Sequence, residues 1–208
     1  MRKYLIFIVI ILVAIAVAWG PIVSNVEQAK YIVVQHDGSI EVRDYDSMII
    51  AEVEVTGDRK TAINQGFRMI ADYIFGNNIS SQKVAMTAPV TQQTSEKIAM
   101  TAPVTQQGAG SGNWKVHFIM PSSYTIATLP KPNNEAVKLK EIPPKRYVVI
   151  RFSGIGNQKR IDQEQEKLEA FITKQGLTPI AQSTYAFFSP PWTLPFFRRN
   201  EVMIEIKK

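Results

Sequence analysis

The sequence contains no cysteine. That absence excludes disulfide frameworks, thiolate nucleophiles, Cys-rich zinc sites, iron–sulfur clusters and a lipid-modified N-terminal cysteine. Histidine is almost as scarce, with His36 and His117 alone, and no metal ligand is assigned. Charge of one sign is also in short supply. Lys plus Arg number 24 against 18 Asp plus Glu, and without Arg2 and Lys3 the count is 22 against 18. So small a balance leaves no electrostatic footprint for nucleic acid, and none is expected as a partner. No segment offers a nucleophile with a base and an orienting group, so no catalytic residue is assigned and the chain is read as a non-enzyme. Gly154-Ile-Gly156 has Lys159 where a dinucleotide loop needs its third glycine. Gly108-Ala-Gly-Ser111-Gly lacks the glycine two residues before the serine of a nucleophile elbow. What is present is 208 residues, 45% of them hydrophobic and 20% charged. That supports a packed core and excludes disorder or fibre.

The N-terminus is a run without charge. Met1-Arg2-Lys3 is followed by sixteen residues, Tyr4 to Trp19, none of them strongly polar. As a helix they cover roughly 24 Å at about 1.5 Å each, and Gly20 to Val23 extend the run toward the roughly 30 Å of a bilayer core. The spacing predicts an apolar helix, with residues 1–23 a membrane anchor or signal segment. The length favours an anchor, and Ala16-Val-Ala18 is the alternative, a cleavage site that would release the chain near Ala18. Arg2 and Lys3 place the rest of the chain outside the cytoplasmic membrane in either case.

Residues 24–30 read as a polar tether and 31–208 as the domain. Tyr31 to Gln35 and Ile40 to Tyr45 flank a His36-Asp-Gly-Ser39 turn. Ile49, Ala51, Val53 and Val55 alternate with Ile50, Glu52, Glu54 and Thr56, a strand with one wet face. Asp58 then caps a helix whose stripe is Ile63, Phe67, Ile70 and Ile74, ending near Gly76. The order recurs. Adding 97 carries Ala51, Val53, Val55 and Gly57 onto Val148, Ile150, Phe152 and Gly154, and adding 98 carries Ile63, Ile70, Tyr73 and Ile74 onto Ile161, Leu168, Phe171 and Ile172. Trp114, Val116, Phe118 and Met120 close the first unit, and Val202, Ile204 and Ile206 the second. Two pseudo-equivalent strand-helix-strand units in one antiparallel α+β domain follow, with the Pro-rich 121–144 stretch as connection. Asp162, Glu164, Glu166 and Glu169, interleaved with Lys159, Arg160 and Lys167, read as a solvated face of the second helix.

Two further features stand out. Lys83-Val-Ala-Met-Thr-Ala-Pro-Val-Thr-Gln-Gln93 returns fourteen residues later as Lys97 to Gln107, with Ile98 for Val84. Two copies cannot stack as a solenoid, so one strand segment has been duplicated. Phe187 to Phe197 holds five aromatics and three prolines, a stiff segment with large apolar area, suited to one wall of a ligand groove, to covering the sheet, or to a membrane surface.

Lys97-Ile-Ala-Met-Thr-Ala-Pro-Val104 after a first helix resembles the motif of the SOUL heme-binding protein family. Glu41-Val-Arg43-Asp44-Tyr45, Phe118-Ile-Met-Pro121 and Arg199-Asn200-Glu201-Val202 are similar to that family's opening strand, post-motif strand end and last strand. The resemblance implies a distorted antiparallel β-barrel with two flanking helices and a heme or porphyrin held non-covalently against the first helix. On that reading Phe67, Arg68 and Ala71 form one side of the groove, and Trp192, Phe196 and Phe197 a second wall. Some members carry a ligating His where Asp44 stands, so iron coordination is expected to be weak. His36 and His117 read as solvated polar residues, and Met86, Met100 and Met120 as core fillers. Two classes of function stay open: a membrane-tethered tetrapyrrole-binding module for capture, buffering or delivery, and a small-molecule or protein-interaction module on the same scaffold.

Overall fold

The structure is a computed structural model that describes residues 26–80, 95–108, 110, 112–190 and 192–208. The apolar helix expected at the N-terminus, Ser24, Asn25, Met86 and the first repeat copy, 83–93, lie outside these residues. Among the described residues no helix is long and apolar enough to cross a membrane.

The first unit runs β1 (Glu27–Gln28), β2 (Tyr31–Asp37), β3 (Ile40–Tyr45), β4 (Met48–Thr56), α1 (Arg59–Ile74), β5 (Asn78–Ile79), β6 (Thr101–Ala102), β7 (Val104–Gly108) and β8 (Asn113–Ile119). The second follows with β9 (Lys131–Pro132), β10 (Lys138–Ile142), β11 (Lys145–Phe152), α2 (Gln158–Lys174), β12 (Thr184–Phe187), a 3₁₀ turn (Pro195–Phe197) and β13 (Asn200–Ile206). Nine strands form one sheet in the order β10-β4-β8-β7-β12-β13-β11-β3-β2, antiparallel throughout. The sheet curls and stays open at β10 and β2, so the fold is α+β, a half-barrel with two helices, and the distortion of the expected barrel is this opening.

Apart from the extra edge strand β2, the sheet order is symmetric about the β7–β12 pair. On one side β7, β8 and β4 repeat what β12, β13 and β11 do on the other. The strands leading into each unit are exchanged: β3, which precedes β4, pairs with β11, and β10, which precedes β11, pairs with β4. Arg59 at the start of α1 ties the units together, donating to Gln158 Oε1 at 2.7 Å and to the Gly156 carbonyl at 3.3 Å.

Both helices lie on one face of the sheet. Ala51, Val53, Val55, Val116 and Phe118 pack beneath α1, and Val148, Ile150, Phe152, Val202 and Ile204 beneath α2. Asp58 and Asn157 cap the two helices through their side chains, as acceptors for otherwise unpaired first-turn N–H groups. The buried stripe of α2 is Ile161, Leu168, Phe171 and Ile172, as the spacing predicts. That of α1 is rotated from the expected one: Ala62, Gly66, Ile70, Tyr73 and Ile74 face the sheet, while Ile63 is half-buried and Phe67 turns outward. Gly66 decides this, because a Cβ there would stand 2.6 Å from Val116 Cβ, so the helix sits closest where it has no side chain.

Several expectations change at the level of single segments. The β2–β3 turn is Gly38-Ser39 alone, with Gly38 at φ 60°, so His36 belongs to the strand opposite Glu41. Within the supposed tether, β1 pairs in parallel with β6 and Glu27 accepts from the Ser122 N–H. The 121–144 connection carries the edge strand β10. Glu164 on the supposedly solvated face of α2 is buried, held by Arg160 at 2.8 Å and Lys167 at 3.1 Å. Met120 is buried as a core filler, whereas Met100 is exposed.

Candidate functional site

Alternation along β8 divides the site in two. Val116 and Phe118 point toward α1, so His117 between them points to the opposite, concave face. Its cross-strand partners are Glu52 on β4 and Thr105 on β7. The face of β4 read as wet is therefore covered: Ile50 and Glu52 are buried inside the curl, and only Glu54 and Thr56 reach solvent. Sequence reasoning missed this cavity because a carboxylate and an imidazole in alternation look solvated until the sheet curls over them.

The cavity measures about 290 Å³. Tyr31, Tyr45 and Tyr147 form one aromatic wall, their rings 5.0 and 5.6 Å apart in sequence. Phe188, Met48 and Met203 add apolar surface. Two ion pairs border it, Lys140–Glu52 and Lys145–Glu205, each at 2.6 Å. His117 Nδ1 is shut off from solvent and has no hydrogen-bond partner among the described residues. Burial pushes the imidazole down to about 4, against the pull of Glu52 and with the help of Lys145 and Lys140, so the ring is neutral at neutral pH. Behind the wall, buried Arg43 donates to Glu201 at 2.9 and 3.2 Å and to the Tyr45 hydroxyl at 3.1 Å. Burial opposes the charge on Arg43, but Glu201 outweighs it and the guanidinium pKa rises. Burial first, and then Glu201, raises that of Tyr45.

The residues expected to line a groove lie outside this cavity. Phe67 is 37% exposed, its ring 5.5 Å from Phe118. Arg68 is exposed and donates to the Asn64 carbonyl, and Ala71 is buried against the sheet. Trp192, Phe196 and Phe197 are exposed at 68%, 63% and 45%, and the last two rings touch at 4.5 Å. Neither the concave cavity nor a shallower groove of about 560 Å³ between α2 and β12 is lined by any of these six side chains.

The family model for the SOUL heme-binding protein matches residues 26–205, most of the chain. The chain belongs to the SOUL heme-binding protein family. No curated protein matches it in sequence. Among solved structures, this SOUL domain is similar to the C-terminal domain of EcmrR, at 12% identity and a TM-score of 0.56 over 81% of this chain and 97% of that one. It is also similar to a protein described as a hydrolase from Listeria innocua, at 12% identity and 0.55 over 84% and 94%. A second, uncharacterized Listeria innocua protein aligns at 13% and 0.55 over 81% and 92%. At such identities these likenesses speak to the fold alone.

How the residues of this SOUL protein suit a tetrapyrrole differs between its parts. Asp44 is held by Arg146 through two hydrogen bonds of 2.6 and 2.7 Å, which lower its pKa, so it is spoken for as an ion-pair partner. His36 lies exposed on the edge strand β2, and His117 faces away from α1. Among the described residues, then, no imidazole stands on the α1 side to ligate iron. The exposed Phe67 and the Arg68 cation do stand there, an apolar ring and a charge of the kinds that suit the plate and the propionates of a porphyrin.

Proposed function

We propose that this SOUL protein is a binding module for heme or a related porphyrin, held to the outer side of the cytoplasmic membrane by residues 4–23, with no catalysis of its own. Family membership across residues 26–205 is the observation that carries the ligand class. The exposed Phe67, Trp192, Phe196 and Phe197 supply apolar area for the macrocycle, and Arg68 a partner for a propionate. When bound, the tetrapyrrole brings a flat apolar plate, two carboxylates and, in heme, an iron. The protein contributes burial and one charge-assisted hydrogen bond, worth about 1 to 3 kcal/mol. The anchor and its orientation rest on the uncharged run from Tyr4 to Trp19 behind Arg2 and Lys3.

An absorbance titration of the full chain tests the ligand. Iron-free protoporphyrin is expected to bind nearly as well as hemin, and Arg68→Glu to weaken both. A sharp six-coordinate hemin spectrum that collapses in a His117 or His36 variant overturns the apolar mechanism. Failure of both porphyrins to bind at micromolar concentration moves the assignment to a module that binds no tetrapyrrole. Protease added to intact spheroplasts is expected to digest the domain, and a protected domain overturns the orientation.

A further inference from the structure

We propose that the concave cavity is a second binding site, separate from the porphyrin surface, for a small aromatic or apolar molecule carrying one carboxylate. The cavity is enclosed by strands from both units and lies on the face of the sheet away from α1 and α2. An apolar cavity of about 150 Å³ is enough to bind benzene, so 290 Å³ has room for a substituted ring. The tyrosine wall and Phe188 suit a ring in that space.

Charge selects the headgroup. Three ammonium groups, Lys115, Lys140 and Lys145, line the cavity with two carboxylates, Glu52 and Glu205. Both carboxylates are already neutralised at 2.6 Å, and each ammonium retains donors beyond the one its pair uses. Lys115 is held only loosely, 3.8 Å from Glu54. A cationic ligand brought into this space meets a surplus of its own sign, whereas an anion meets donors. Tyr45 and Tyr147 are kept protonated, chiefly by burial and then by Glu201 and Glu205, so they add neutral donors. The neutral imidazole of His117 has a shut-in nitrogen without a partner among the described residues, and buried polar groups left so are uncommon; a ligand carboxyl in the cavity would supply one.

Calorimetric titration of the full chain with phenylacetate, phenylacetamide and phenethylammonium compares one ring under three charges. Phenylacetate is expected to bind saturably below about 1 mM, and at least about tenfold more tightly than phenethylammonium. His117→Phe is expected to weaken phenylacetate about tenfold and to leave the protoporphyrin titration unchanged. Arg68→Glu is expected to do the reverse, so the failure of one site is distinguishable from the failure of the other. Should His117→Phe not fold, proton resonances of the unaltered protein decide. Added phenylacetate shifts the His117 ring protons, with His36→Gln assigning the other histidine. Binding of phenethylammonium as tight as phenylacetate, no saturable binding, unmoved His117 resonances, or phenylacetate displaced by protoporphyrin each overturns the proposal.

Discussion

A histidine enclosed by a half-barrel makes the protein sensitive to acid in a defined window. His117 faces Glu52 on β4, Lys140 on β10, Lys145 on β11 and Lys115 on its own strand, and burial lowers it from 6.5 to about 4. In the unfolded chain the ring takes up a proton near its ordinary value, while the folded chain refuses it until about 4. Its contribution is therefore fully present above about 6.5 and is lost as the pH falls toward 4. Urea unfolding is expected to show about 2 kcal/mol less stability at about pH 5 than at about pH 7, and His117→Phe to flatten that difference. An undiminished pH dependence in the variant would assign the loss to carboxylates instead. At this scale the sequence revealed Asp58 and the α2 stripe, because caps and helical spacing are local properties. It could not reveal that His117 and Glu52 are enclosed, since what covers them comes from β3, β10, β11 and β13.

Among the elements, α1 shows a close approach outweighing helix propensity. Replacing Gly66 by Ala gains roughly 0.5 to 1 kcal/mol of propensity. The new methyl at 2.6 Å from Val116 Cβ costs about 1 to 3 kcal/mol in overpacking. Gly66→Ala is expected to be destabilising in a thermal melt, and Val116→Ala in the same chain to relieve part of the loss. A gain in stability would show that α1 is free to shift outward. The duplicated segment makes a second case. The copy from Lys97 to Gln107 builds β6 and β7, and Glu96 just before it accepts from Ser80 at 3.0 Å and from Tyr124 at 2.7 Å. Residues 80 and 96 are thus within side-chain reach of one another. Deleting Gln82 to Ser95 keeps Glu96 and is expected to leave a cooperative thermal transition, and loss of that transition would place the first copy in the core. The strands were legible wherever apolar residues alternate. The two-residue β1 and the edge strand β10 were not, because pairing with β6 and β4 rather than local pattern makes them strands.

For the whole molecule, the exchange of leading strands means that neither unit is complete alone. Cut between Pro143 and Pro144, the chain leaves β3 without β11 and β4 still paired with β10, while β11 loses one neighbour and β12 loses β7. Each fragment alone is expected to lack a cooperative melt by circular dichroism, and the mixture to recover one. Independent folding of the 144–208 piece would show that the seam between β7 and β12 is dispensable. The sequence by itself determined the two related units, their helices, the cap of the first, and the family, since these depend on spacing within short windows and on a motif read along the chain. Tertiary structure alone decided that the sheet stays open, that β3 and β10 change places, and that Glu52 and His117 meet three tyrosines in one cavity. Those outcomes depend on sheet curl and on contacts between residues far apart in the chain, and no local periodicity encodes them.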